Sequence, residues 1–173
     1  MKHPLIESYK EMFSDKYHFD GEEFFALYQE WIIKFGETEK SKADFVWSMF
    51  NRIANSYAGK FKNELEMYTF MRGIYADMWQ FLLKEGRDSS HVKRLMHYCD
   101  LKTAGDENYK VNAQIIGTKC CPECDEIDGL VIPLDEAINK QILPFKGCTR
   151  KNGCICCYGF PYERDLENNL VRK

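Results

Sequence analysis

A chain of 173 residues that is 45% hydrophobic, 29% charged and 14% aromatic has the composition of one globular domain, or of a domain with a small appendage, and carries too much apolar material to stay disordered. Its net charge of −3 is spread evenly along the chain, without the basic surplus that backbone-driven nucleic-acid binding needs. Charged residues interrupt the first eleven positions where a signal peptide needs an apolar stretch, and no apolar run reaches membrane-spanning length, so a cytoplasmic, reducing setting without membrane association is the expectation.

Residues 4–14 place Leu5, Ile6, Tyr9, Met12 and Phe13 on one face and predict a short helix. Asp20 is a suitable N-cap for a second helix, with Glu22 and Glu23 in the first turn. The stripe Phe24, Leu27, Tyr28, Trp31, Ile32 and Phe35 then runs to Gly36, a natural stop. Ser41-Lys42-Ala43-Asp44 resembles a capping box and predicts the next start, followed by Phe45, Met49, Phe50, Ile53 and Tyr57 at helical spacing.

From Phe61 the period continues through Leu65, Tyr68, Met71, Tyr75, Trp79 and Leu82 to Gly86; Gly59 either separates this helix from its predecessor or lies within one long helix. Ser89 or Ser90 opens a further helix whose inner face is read as Val92, Leu95, Met96 and Cys99. These amphipathic segments predict a helical bundle over residues 1–105, with the aromatic residues as its core.

The texture changes after Gly105. Asp106-Glu107-Asn108 is a polar joint, and Tyr109, Val111, Ala113 and Ile115 alternate with polar residues as in a half-buried strand. A tight turn is expected at Asp128-Gly129, a second strand at Leu130 to Ile132, and a short helix from Asp135 that ends at Pro144. Lys146 to Gly153 reads as a basic loop, Cys154 to Phe160 as a last strand, and residues 161–173 as a polar tail, helical or frayed. The predicted class is therefore α+β: an all-α N-terminal bundle, then a small zinc-ribbon-like β module over residues 106–160.

Seven of the eight cysteines fall between Cys120 and Cys157. Cysteines bunched at short spacing in a reducing compartment point to a metal, and a structural Zn²⁺ site asks for four thiolate or imidazole ligands in a tetrahedron. Cys121-Pro122-Glu123-Cys124 supplies half of one, because two intervening residues let the backbone curl and aim both sulfurs at one point. The other half must come from Cys148, Cys154, Cys156 and Cys157. Cys154 and Cys157 would repeat the CxxC turn; Cys154 and Cys156 would share one face of a strand; Cys148 would reach in from the loop. Cys120 and Cys99 read as packing thiols. The module has few large apolar groups, so the ion would replace a missing core, at on the order of 10 kcal/mol. Chelation is expected to unfold residues 106–160 and leave the helices standing.

Within Ile116 to Tyr158, about a quarter of the chain, stand Cys121-Pro122-Glu123-Cys124, Asp128-Gly129-Leu130-Val131, Pro133-Leu134-Asp135-Glu136-Ala137, Leu143-Pro144 and Cys154-Ile155-Cys156. This succession resembles the cysteine-rich C-terminal segment of the head-morphogenesis (minor head) proteins of tailed phages. The resemblance implies the ligand set Cys121, Cys124, Cys154 and Cys156, with Cys148 and Cys157 as alternates, and a phage-related morphogenesis role.

No Gly-rich phosphate loop, nucleophile elbow or paired-carboxylate motif appears, and the four histidines (His3, His18, His91, His97) are scattered. Asp125, Glu126 and Asp128 read as a solvated turn. The leading expectation is a non-enzymatic binding or scaffolding protein stapled by zinc, with a protein as partner. Lys146, Arg150 and Lys151 offer contacts to an acidic partner or, despite the net charge, a nucleic-acid backbone. The alternative from another class is a thiol oxidoreductase using Cys121 and Cys124, since a C-P-x-C turn occurs in glutaredoxin-like proteins.

Overall fold

The structure, a computed structural model, describes residues 3–105, 108–119, 121–151 and 153–173. Asp106 and Glu107 of the polar joint, Cys120 and Asn152 lie outside the described residues. The chain is mixed: seven helices and one three-stranded antiparallel sheet among the described residues, divided into compact units of residues 1–60 and 61–173.

The first unit holds α1 (Pro4–Tyr17), α2 (Gly21–Phe35) and α3 (Glu39–Ser56). Pro4 occupies the first turn of α1, where its missing N–H costs nothing. The Asp20 carboxylate caps α2 as its position predicted, accepting from the N–H groups of Glu22 and Glu23 at 2.8 Å each. Helix α3 starts earlier than the capping-box pattern suggested. Thr38 is its cap and accepts from Ser41 N–H at 3.1 Å, while Ser41 lies buried inside the helix and accepts from Trp31 Nε1–H at 3.0 Å. The core is aromatic: Phe13 meets Phe50 edge-on at 4.9 Å, and Phe24 meets Phe45 at 5.2 Å.

Gly59, at φ +76°, adopts a left-handed conformation and ends the first helical set; α4 (Glu64–Lys84) begins separately, capped by Asn63. It packs along α5 (Ser90–Thr103). The inner face of α5 is rotated from the expected one: Leu95 is exposed, whereas Lys93 and His97 are buried with Val92, Met96, Cys99 and Leu101.

Strand β1 (Asn112–Ile116) is the centre of the sheet, flanked by β2 (Val131–Pro133) and β3 (Cys157–Gly159) in the order β2-β1-β3. Between β1 and β2 lies the single turn α6 (Pro122–Asp125), and after β2 the short α7 (Leu134–Lys140). Leu101 of α5 shares one core with Ala113, Ile115, Ile132, Ala137, Leu143 and Tyr158, so the joint read at Gly105 lies inside the second unit. The last segment is neither helical nor frayed. Arg164 bridges Leu170 across a turn, and the returning chain pairs with β1's approach through Val111–Tyr162 and Tyr109–Arg172.

Candidate metal centre

The CxxC turn forms because Pro122 opens α6 and the Cys121 carbonyl accepts from the N–H groups of Cys124 and Asp125. The turn of residues 126–129 closes with Gly129, at φ +78°, donating to the Ile115 carbonyl at 2.8 Å; this holds the knuckle at the end of β1. On the other side, Thr149 Oγ1–H donates to Glu123 Oε2 at 2.8 Å and draws the basic loop, with Cys148, against the knuckle.

Five thiols converge. Cys121, Cys124 and Cys148 form one group and Cys124, Cys154 and Cys156 another, with the sulfurs of each group mutually within 4.8 Å. Cys124 belongs to both. The Cys121–Cys148 separation is 3.7 Å and the Cys124–Cys154 separation 4.0 Å. A tetrahedral ion with metal–sulfur bonds near 2.3 Å spreads its sulfurs by about 3.8 Å, so these spacings suit thiolates on a common ion. The seven described cysteines are free thiols, and Cys124 and Cys156 are fully buried within the apolar core. A cluster of this kind can hold a metal ion.

All four residues of the resemblance-derived set, Cys121, Cys124, Cys154 and Cys156, thus lie in the cluster, and the alternate Cys148 joins them. The other alternate, Cys157, does not: it sits exposed at the start of β3. Cys154 and Cys156 come together in the loop before β3 rather than along a strand face, because the strand begins only at Cys157.

The thiols differ in acidity. Burial works against ionising Cys121, but hydrogen bonding from Cys124, the Thr149 backbone and Cys148 outweighs it and brings this thiol down to about 7. Burial pushes Cys124 far up, with its sulfur neighbours adding to the effect. Cys99, away from the cluster on α5, is pushed up to about 12 by burial and next by Asp100, and stays a protonated packing residue.

Two residues facing this region carried no signal beyond their helical spacing. Lys93 and His97, one turn apart on α5, are 3% and 1% exposed. The Lys93 ammonium donates to the Cys154 carbonyl and lies 4.8 Å from the centre of the Trp79 ring. The His97 ring stands edge-on to Tyr158 at 5.6 Å, with Nδ1 3.4 Å from the Asp100 carboxylate, and burial lowers its pKa and keeps it neutral. Their placement one turn apart, on the helix side that also carries Val92, Met96 and Leu101, is the sequence feature that would have pointed to them.

No family model, curated protein or solved structure matches the chain.

Proposed function

We propose that the cluster holds one structural Zn²⁺ and that the protein is a non-enzymatic binding or scaffolding protein whose cysteine-rich module this ion staples. The observation that carries the reading is the convergence of five thiols, four buried and Cys148 half-buried, in the core of the module, where large apolar side chains would otherwise be needed. Cys121, Cys124, Cys154 and Cys156 are the proposed ligands, with Cys148 as the competing fourth. Elemental analysis of protein purified without added metal tests it. One zinc per chain, lost on Cys124→Ser, is the expected result; metal-free wild-type protein overturns it.

The partner in this reading is an acidic protein surface. A cleft of about 340 Å³ between the α4–α5 corner and the basic loop is lined by Arg87, Asp88, Ser89, Ser90, Arg150 and Lys151, with the cations outnumbering the single carboxylate. Its loop is pinned by Cys148 at one end and Cys154 at the other, which ties its shape to the metal. The likeness of residues 116–158 to phage minor head proteins gives assembly of a head structure as the specific form of the scaffolding role. Co-purification of a partner that is lost on neutralising Arg150 and Lys151 is the expected behaviour.

The lowered pKa of Cys121 is the property a thiol oxidoreductase would use. Cys121 is buried, at 7% exposure, and its sulfur lies 3.7 Å from that of Cys148, which favours the metal instead. The protein is expected not to catalyse insulin reduction.

A further inference from the structure

Lys93 is an expensive residue where it stands. A buried ammonium loses its hydration and persists only beside compensating negative charge. No carboxylate lies within ion-pair distance of it among the described residues; its neighbours are the Cys154 carbonyl and the Trp79 ring. Burial works against its charged form and the Arg150 guanidinium adds to this, while the nearby Cys154, Cys156 and Cys157 favour it once ionised. Of these, only the sulfurs can become negative, by giving up their protons, and Cys154 and Cys156 belong to the cluster.

Four thiols that bind a divalent ion release four protons and leave a centre of net charge −2. Such a dianion in an apolar core has the same need as the lysine, with the opposite sign. We infer that Lys93 is the resident counter-cation of the metal–thiolate centre and a positioning residue that holds the Cys154–Cys156 arm through the Cys154 carbonyl. This rests on the zinc reading above and deepens it. It makes α5 the outer shell of the site, 61 residues away from the arm it supports.

The arrangement is reciprocal. The lysine lowers the cost of gathering thiolates around the ion, and the loaded centre lowers the cost of keeping the lysine buried and charged. Hydrogen bonding of an outer group to the ligand arm also narrows the orientations the arm can adopt before the metal arrives. Groups of this kind typically change metal affinity by roughly 10- to 100-fold.

The test compares zinc affinity of full-length wild-type protein, Lys93→Met and Lys93→Arg by competition with a chromogenic chelator, and records the Co²⁺ charge-transfer spectrum of each. Expected is a 10- to 100-fold loss of affinity in Lys93→Met with the tetrathiolate Co²⁺ spectrum kept, and recovery of most of that loss in Lys93→Arg. Equal affinity in wild type and Lys93→Met overturns the inference while the zinc reading stands. Equal loss in both variants also overturns it, because charge is then not what matters. Wild-type protein that binds no zinc overturns both. Should Lys93→Met not fold, ¹⁵N spectra of the lysine side chains in wild-type protein decide: a slowly exchanging Lys93 ammonium signal that appears on zinc loading supports the inference, and its absence from loaded protein refutes it.

Discussion

The sulfurs of Cys121 and Cys148 lie 3.7 Å apart although 27 residues separate them in the chain. Neither a strand pair nor a helix brings them together. The contact is made by the Thr149–Glu123 hydrogen bond, which folds the basic loop back on the CxxC turn. A thiol that the sequence offers only as an alternate therefore stands as close to the knuckle as a ligand would.

This proximity gives the first prediction. Cys148→Ser lowers zinc affinity measurably, by competing-chelator titration, whereas Cys157→Ser leaves stoichiometry and affinity unchanged because its side chain is exposed and outside the cluster. An equal effect of the two substitutions would contradict the geometry.

Chelation should reach further than residues 106–160. Helix α5 contributes Leu101 to the module's core and Lys93 to the Cys154 carbonyl, so removing the ion loosens α5 as well. Hydrogen–deuterium exchange after chelation is expected to show faster exchange over residues 90–103 and 112–159, with α1–α3 unchanged. Unchanged protection in α5 would restore the narrower expectation drawn from the sequence.

The first unit has its own failure mode. Phe13 and Phe50 are fully buried and meet edge-on, so Phe50→Ala opens a cavity in a three-helix core and costs about 3–5 kcal/mol. For a unit of 60 residues that is most of its stability. Loss of the α1–α3 helices by circular dichroism, with zinc content retained, is the expected outcome.

Acid sensitivity follows from Asp100. Burial raises its pKa, but the nearby His97 ring, with Nδ1 at 3.4 Å, and the Arg72 guanidinium, which donates at 2.6 Å, outweigh that and hold the carboxyl below its ordinary 3.8. The folded chain then binds this proton less readily than the unfolded one, so the contribution is complete above roughly pH 5 and is lost as pH falls through the lowered folded value. Arg72 is half exposed, which keeps the term to about 1 kcal/mol or less. Denaturant titrations from pH 6 to 3 should show a shallower decline in Asp100→Asn than in wild type. Parallel curves would mean that the pair contributes nothing.

What was legible in the sequence is what depends on local pattern. The Asp20 cap, the Gly36 stop, the alternating β1 and the CxxC knuckle follow from near neighbours, and the structure has them, whereas the break at Gly59, which the sequence left open, is settled by its positive φ. Ser41 fits a cap by pattern, but Thr38, three residues earlier, starts the helix by accepting from the Ser41 N–H and leaves the Ser41 hydroxyl to Trp31. The inner face of α5 was misread because Lys93 and His97 are polar by type; only a distant arm with a free carbonyl and sulfur atoms makes burying them favourable. The pairing of the terminal segment is not legible locally, because its partners Val111 and Tyr109 lie about fifty and sixty residues upstream of Tyr162 and Arg172.

The ammonium of Lys93 over the face of Trp79 has a practical consequence. Of the three tryptophans, Trp31 and Trp47 belong to the first unit and Trp79 alone to the second. With the first two replaced by phenylalanine, the emission of the remaining indole becomes a built-in optical gauge, dimming or shifting as the cation beside it is drawn in or released.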